Sequence, residues 1–318
     1  FAVTRGVGGI STSFEAVYDT GKPGKNIAFM AEYDALPEIG HGCGHNIIGT
    51  SSAGAGVVLK EIMQKHDLGG VLKVIGTPAE ERVGGKILML REGVFKGLDA
   101  AMIMHPTDAT IPDDISFASV NIEYVFHGKP AHSAAFPWRG ANALSGVIQM
   151  FNAVDAMRLH FKDYTRVHGI ITEGGTAHNT ITDRAVCLFN IRALEFSYLE
   201  EVIKMIENCA KGAALMTGTR VEIERVTCNK EMKTNRVLAE TFYEEMKKIP
   251  TPVYTEDEIA FAAEISKEAG FENHGEYFAG LEPLEDQPVP LAIGTDVSDV
   301  SHTVPTIMLS AAAMCKGT

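Results

Sequence analysis

The feature that most constrains this chain is a repeating pattern near its start: short apolar runs, each followed by a loop rich in chemistry-bearing residues and then by helical periodicity. The run Asn26-Ile27-Ala28-Phe29-Met30-Ala31-Glu32 reads as a buried strand that ends in the loop Asp34-Ala35-Leu36-Pro37. Residues 47–64 are small and apolar at helical spacing, and Gly69-Gly70 breaks that pattern. Residues 71–76 form a second strand-like run, residues 84–92 a helix, and residues 100–104 a third strand capped by His105-Pro106. Strands alternating with helices predict an α/β layer on a mostly parallel sheet. In such sheets the working groups collect at the carboxyl ends of the strands.

Near Ser116 the texture changes. Residues 119–128 alternate like an exposed antiparallel strand, and residues 141–159 form a long amphipathic helix. Residues 167–172 and 185–193 are strand-like, 198–216 helical, and 219–226 strand-like again. That β-α-β-β-α-β order predicts a ferredoxin-like α+β insert. Beyond about Asn229 the first texture returns, with helices at 233–247 and 256–269, a polar loop at 272–290 and an apolar strand at 306–311. The expected organisation is an α/β domain in two parts, 1–115 and 229–318, interrupted by a smaller domain at 116–228.

Composition narrows the function classes. The net charge is −13, from 28 Lys+Arg against 41 Asp+Glu, with no basic cluster. Nucleic-acid binding, which needs positive charge against phosphates, is therefore not expected. No apolar stretch reaches the ~18 residues that would suggest a membrane helix. The five cysteines are odd in number and lack CxxC spacing, which fits a reducing compartment, and a cytoplasmic location is expected. The start, Phe1-Ala2-Val3-Thr4-Arg5, has neither an initiator Met nor a signal-peptide pattern and reads as a cut end.

Three motifs supply metal-binding side chains at loops after strands. In Gly40-His41-Gly42-Cys43-Gly44-His45-Asn46, a thiolate and an imidazole two residues apart can reach one ion. In Thr77-Pro78-Ala79-Glu80-Glu81, adjacent carboxylates in an extended segment would point opposite ways, one toward metal and one toward substrate. His105 supplies a third position. A lone strand-end His is usually structural, paired glutamates are usually solvated, and a buried Cys is usually a small hydrophobe. Their convergence on one sheet edge, with complementary donor types, points to a metal site.

These motifs, with Asp34-Ala35-Leu36-Pro37, closely resemble the aminoacylase/carboxypeptidase-G family of dinuclear metallopeptidases. The Cys-Gly-His form resembles the branch that holds p-aminobenzoyl-glutamate hydrolase, auxin-conjugate hydrolases and aminoacylase-like dipeptidases. Gly128-Lys129-Pro130-Ala131-His132-Ser133-Ala134 resembles the start of that family's dimerisation domain. The resemblance implies two divalent ions, Mn2+ ahead of Zn2+, held by Cys43, His45, Glu81 and His105. It implies Glu80 as the general base and Asp34 as a hydrogen-bonding partner behind the ligands. Many relatives carry a His two residues before that Asp; here the position is Glu32, and His45 is expected to take over its role. The resemblance also implies a homodimer, in which His132 reaches the partner's site to stabilise an oxyanion. Asn179 resembles a substrate-contacting position, and Arg192 could pair with a substrate carboxylate, or else be an ordinary sheet-edge charge. The implied substrate is a small N-acyl amino acid or dipeptide, such as p-aminobenzoyl-glutamate.

The family's last His ligand would follow a Gly-Thr-like turn, and the chain stops at Lys316-Gly317-Thr318, where that residue would come next. His302 falls too early and reads as a loop residue. The expectation is that residues at both ends lie outside the sequence, and that one metal would be under-coordinated if Thr318 were the true end. Two rival readings stand beside the metallohydrolase: a thiol hydrolase using Cys43 with His45, and a catalytically silent binding protein of the same fold.

Overall fold

The computed structural model describes residues 1–270, 280–284 and 293–315. The chain forms two compact units. The first comprises Phe1–Ile115 and most of the described residues from Met232 onward; the second is Ser116–Glu231, with Ile293 and Gly294 attached.

In the first unit, β1 (Ala2–Arg5), β2 (Phe14–Asp19) and β3 (Lys25–Ala31) precede α1 (His45–Lys65) and β4 (Gly70–Gly76). Then come α2 (Glu80–Val83), α3 (Gly85–Arg91) and β5 (Ala100–Thr107). The second unit runs β6 (Ala118–His127), α4 (Ala143–Met157), β7 (Arg166–Glu173), β8 (Arg184–Ala193), α5 (Phe196–Thr217) and β9 (Arg220–Asn229). The chain returns to the first unit as α6 (Arg236–Met246), α7 (Glu256–Glu268), α8 (Val297–Ser301) and β10 (Thr306–Ala312). Among the described residues no helix is long and apolar enough to cross a membrane.

The first sheet has the order β1-β2-β4-β3-β5-β10. The pairs β4–β3, β3–β5 and β5–β10 are parallel, while β1–β2 and β2–β4 are antiparallel. The apolar runs of β3, β4 and β5 are the inner parallel strands, covered on both faces as such strands must be. Ala28, Met30, Ile75, Ala101 and Ile103 enter a core closed by Ile48 of α1 and Met89 of α3. The edge pair β1 and β2 carried no clear sequence signal, because β1 is exposed throughout and β2 is only partly buried.

Two local expectations need correction. His105 and Pro106 do not cap β5 but lie inside it, because β5 continues to Thr107 alongside β10, with His105 opposite Ser310. Glu80 and Glu81 are not extended. Ala79 adopts a left-handed conformation (φ 68°), and the chain then enters the single turn of α2. His302, as expected, sits in the loop after α8. The polar stretch at 272–290 falls, apart from 280–284, outside the described residues.

The second unit is an antiparallel sheet in the order β7-β8-β6-β9, the ferredoxin-like arrangement of its βαββαβ chain. The alternation of β6 does not mark an exposed strand: it is central, and Val120, Ile122, Tyr124 and Phe126 are all 0% exposed. They meet Phe189 and Ile191 of β8, Val147 and Met150 of α4, and Leu199 and Ile203 of α5. Burying each such side chain contributes about 1.5–3 kcal/mol. The Asn142 side chain caps α4 by accepting from the N–H of Leu144 at 3.0 Å.

Candidate active site

The carboxyl ends of β3, β4 and β5 bring one cluster together. β3 leads into Glu32 and Asp34, and the next loop delivers Cys43 and then His45 at the first position of α1. Gly44 makes that approach feasible: it holds φ 77°, and a Cβ there would stand 2.5 Å from Pro106 Cγ. The ends of β3 and β4 are tied by Thr77 N–H donating to Ala31 O at 2.8 Å, which sets Glu80 and Glu81 beside the same opening.

Cys43 Sγ lies 3.6 Å from His105 Nε2. Asp34 works with both oxygens: Oδ1 is 3.1 Å from His45 Nδ1, and Oδ2 accepts from the Glu81 N–H at 3.1 Å. His45 Nε2 faces Glu32 Oε2 at 3.5 Å and Glu81 Oε1 at 3.7 Å. Two three-donor groups result, Cys43–His45–His105 and His45–Glu80–Glu81, each with donor atoms within 4.8 Å of one another. His45 belongs to both.

The electrostatics favour positive charge. Burial disfavours the His45 imidazolium, but the Asp34 hydrogen bond, Cys43 and Glu32 outweigh it and raise its pKa to about 11. Burial likewise opposes ionisation of Asp34, yet its bonds to His45 and the Glu81 N–H lower its pKa. Hydrogen bonds from His105 and His45 hold the Cys43 thiol below its usual range. Burial, then the negative charges of Asp296 and Glu32, push Glu80 up to about 8. Glu81 Oε1 is buried and makes no hydrogen bond. Such an orphaned carboxylate oxygen is costly unless a cation or donor meets it. The sulfur, nitrogen and oxygen donors of the two groups fit divalent metal.

Glu32 has a second partner besides His45. Its second oxygen contacts the buried ammonium of Lys86, which also binds Asp296 Oδ1 at 2.7 Å. Neither Lys86 nor Asp296 was singled out from the sequence. The available signal was Lys86 three residues before Met89 in Gly-Lys-Ile-Leu-Met, which puts a charge on the buried side of α3.

The remaining candidates belong to the second unit. His132 is exposed in the loop after β6, and its Nδ1 accepts from the N–H groups of Ala134 and Ala135 at 3.3 and 3.2 Å. Asn179 is exposed, and its backbone O accepts from Ser133 N–H at 3.1 Å, so these two loops run together. Arg192 is no sheet-edge charge. It is half-buried on β8, an inner strand, and its Nε donates to Asn190 Oδ1 at 2.8 Å; burial lowers its pKa.

Residues 116–240 match the peptidase dimerisation domain of the M20 family. The chain is 32% identical over 362 aligned residues to a p-aminobenzoyl-glutamate hydrolase subunit of Escherichia coli (strain K12), covering 100% of this chain and 75% of that protein. It is 33% identical over 305 residues to the Xaa-Arg dipeptidase of Mus musculus, covering 93% and 68%. Among solved structures, the aminobenzoyl-glutamate utilization protein of Klebsiella pneumoniae superposes with a TM-score of 0.66 at 20% identity, covering 95% of this chain and 70% of that one. A Bacillus subtilis dinuclear metal binding peptidase from the M20 family gives 0.63 at 18%, covering 98% and 78%; these two likenesses speak to the fold. With a third of its residues shared along most of the length of these hydrolases, the chain belongs to the M20 family of peptidases, the aminoacylase/carboxypeptidase-G group that its motifs resemble.

Proposed function

We propose that this protein is a metal-dependent amidohydrolase that cleaves the amide bond of small N-acyl amino acids or dipeptides, p-aminobenzoyl-glutamate-like compounds among them. The observation that carries the reading is the pair of three-donor groups sharing His45, with Glu81 Oε1 in the second buried and without a hydrogen bond. Cys43, His45 and His105 would hold one divalent ion, and His45 or Cys43 with Glu81 the other, manganese ahead of zinc. When bound, such ions polarise the scissile carbonyl, lower the pKa of water, and offset the negative charge that keeps Glu80 protonated.

Glu80 is the general base. Its carboxylate accepts the proton of the attacking water and returns it to the leaving nitrogen. Asp34 fixes the His45 tautomer and the Glu81 backbone through its two oxygens. In His132, Nδ1 is engaged as an acceptor, which leaves Nε2–H to donate to the developing oxyanion. We assign that donor, with Asn179 and Arg192 as substrate contacts, to a homodimer. The match to a dimerisation domain supports dimerisation. The Escherichia coli relative is named as one of a hydrolase's subunits, which makes a heteromer the alternative. None of the five cysteines is in a disulfide, which suits a reducing, cytoplasmic setting.

The test follows release of free amino acid from p-aminobenzoyl-glutamate, N-acetyl amino acids and short dipeptides, with Mn2+ or Zn2+ and with a chelator. Chelator-sensitive release is expected, and Glu80→Gln should lower the rate by about 10²–10⁴ while metal stays bound. Release that survives the chelator would instead support a thiol hydrolase. The observation behind that second reading is the 3.6 Å contact of Cys43 Sγ with His105 Nε2, which would make His105, not the His45 expected from the sequence, the base. A Glu80→Gln protein as active as the parent would remove Glu80 from the mechanism.

A further inference from the structure

Beneath the donor groups, and unused by the chemistry assigned above, lies a fully buried lysine. The Lys86 side chain is 0% exposed, and its ammonium contacts the carboxylates of Glu32 and Asp296, themselves 1% and 0% exposed. Asp296 holds Lys86 twice, since Oδ1 meets the ammonium at 2.7 Å and Oδ2 accepts from the Lys86 backbone N–H at 2.8 Å. Stripping water from three charges is costly, and a well-packed apolar trio is often as stable or more so. Stability alone is therefore a poor reason for this cluster.

The cluster meets the site at two places. Glu32 turns its other oxygen to His45 Nε2 at 3.5 Å, on the one imidazole common to both donor groups. On the other side, Gly85, the residue before Lys86, is pressed onto the turn that presents the glutamates. Its N–H donates to Ala79 O at 3.1 Å, and a Cβ there would fall 1.9 Å from Pro78 O. Whatever anchors Lys86 also anchors the left-handed Ala79 and the turn of Glu80 and Glu81 behind it.

We propose that Lys86 is a positioning residue for the metal site: its ion pairs keep Glu32 as a fixed neighbour of His45 rather than a metal ligand, and hold in place the turn that presents Glu80 and Glu81. Asp296 is the anchor of this arrangement. The inference rests on the metal reading above.

The experiment titrates the metal-free full chain with Mn2+, and separately with Zn2+, reading affinity and stoichiometry. Parent protein, Lys86→Met, Lys86→Arg, Glu32→Gln and the double variant Lys86→Met/Glu32→Gln are compared. The parent should bind two ions per chain. Lys86→Met and Glu32→Gln should each bind about 10–100-fold more weakly, and Lys86→Arg should recover part of the loss. The double variant should lose less than the product of the two single losses, because both act on His45 by one route. Single variants with parental affinity, or losses that simply multiply, overturn the proposal. If Lys86→Met does not fold, Glu32→Gln, which keeps the Lys86–Asp296 pair, decides by the same reading. A parent that binds no metal defeats the metal reading, and this inference with it.

Discussion

Both units have an apolar core, but they differ in what else they bury. In the second, the sheet face under α4 and α5 is apolar almost without exception: Val120, Ile122, Phe126, Phe189, Ile191, Val202 and Ile206 meet one another with no charge among them. In the first, the ends of the parallel strands enclose Glu32, Lys86, Asp296 and His45, each no more than 1% exposed. An apolar core is favoured simply by area removed from water. A buried charge cluster persists only where every member has a partner. The comparison teaches that substitutions in the second unit should be read out in stability, and those around the charge cluster in metal affinity and rate.

The largest stability effect should come from the centre of the apolar unit. Phe189 is 0% exposed, its ring centroid lying 4.8 Å from Phe151 and 5.9 Å from Tyr124. Phe189→Ala should cost about 3–5 kcal/mol in urea unfolding, with metal affinity of the folded protein unchanged. A loss of metal affinity as large as the loss of stability would break the division between a packing unit and a chemical one.

How far each region could be read from sequence follows the same division. The strands β3, β4 and β8 were legible because their burial is written in apolar runs that need no distant partner to interpret, whereas β6 was legible as a strand but not as a central one. That Cys43, His45, Glu81 and His105 would converge was legible because they follow neighbouring parallel strands, and the structure gathers them into two donor groups that share His45. Illegible were the features fixed by residues far away. Lys86 reads locally as an ordinary solvated helix charge, yet its partners Glu32 and Asp296 are 54 and 210 residues distant. The helical turn at Glu80 depends on the left-handed Ala79, a conformation that non-glycine residues rarely adopt and that propensity does not foretell. β1 was invisible because a short, exposed edge strand carries no hydrophobic pattern.

The first unit also holds a buried acid outside the cluster. Asp113 is 8% exposed, its Oδ1 has no hydrogen-bond partner, and burial, then the charge of Asp114, raises its pKa from 3.8 to about 6. The folded state thus binds the proton more tightly than the unfolded one. Stability from this group is complete below about pH 4 and is lost as pH rises through 6. Asp113→Asn should therefore stabilise the protein by about 3 kcal/mol at pH 7 and by nothing measurable at about pH 3. An equal effect at both pH values would show that Asp113 is unperturbed, and that costly charge in the first unit is confined to the strand ends.

The smallest effect probes a flaw at the centre of the apolar unit. Tyr124 is 0% exposed on β6, and its hydroxyl is buried without a hydrogen-bond partner. Burial raises its pKa far above the usual range, so the group stays neutral at all working pH values. The ring packs edge-on against Phe189, and removing only the oxygen would leave that contact intact. A buried unsatisfied hydroxyl costs about 1–3 kcal/mol in lost hydration, so Tyr124→Phe should stabilise the protein, by about 1 kcal/mol once the small void is counted. Thermal unfolding of the variant decides the matter. A rise in midpoint fits an interior selected only for apolar volume. A fall would mean that the hydroxyl has a partner when the protein is in solution, and that the second unit, like the first, keeps a polar group in its centre for a reason other than packing.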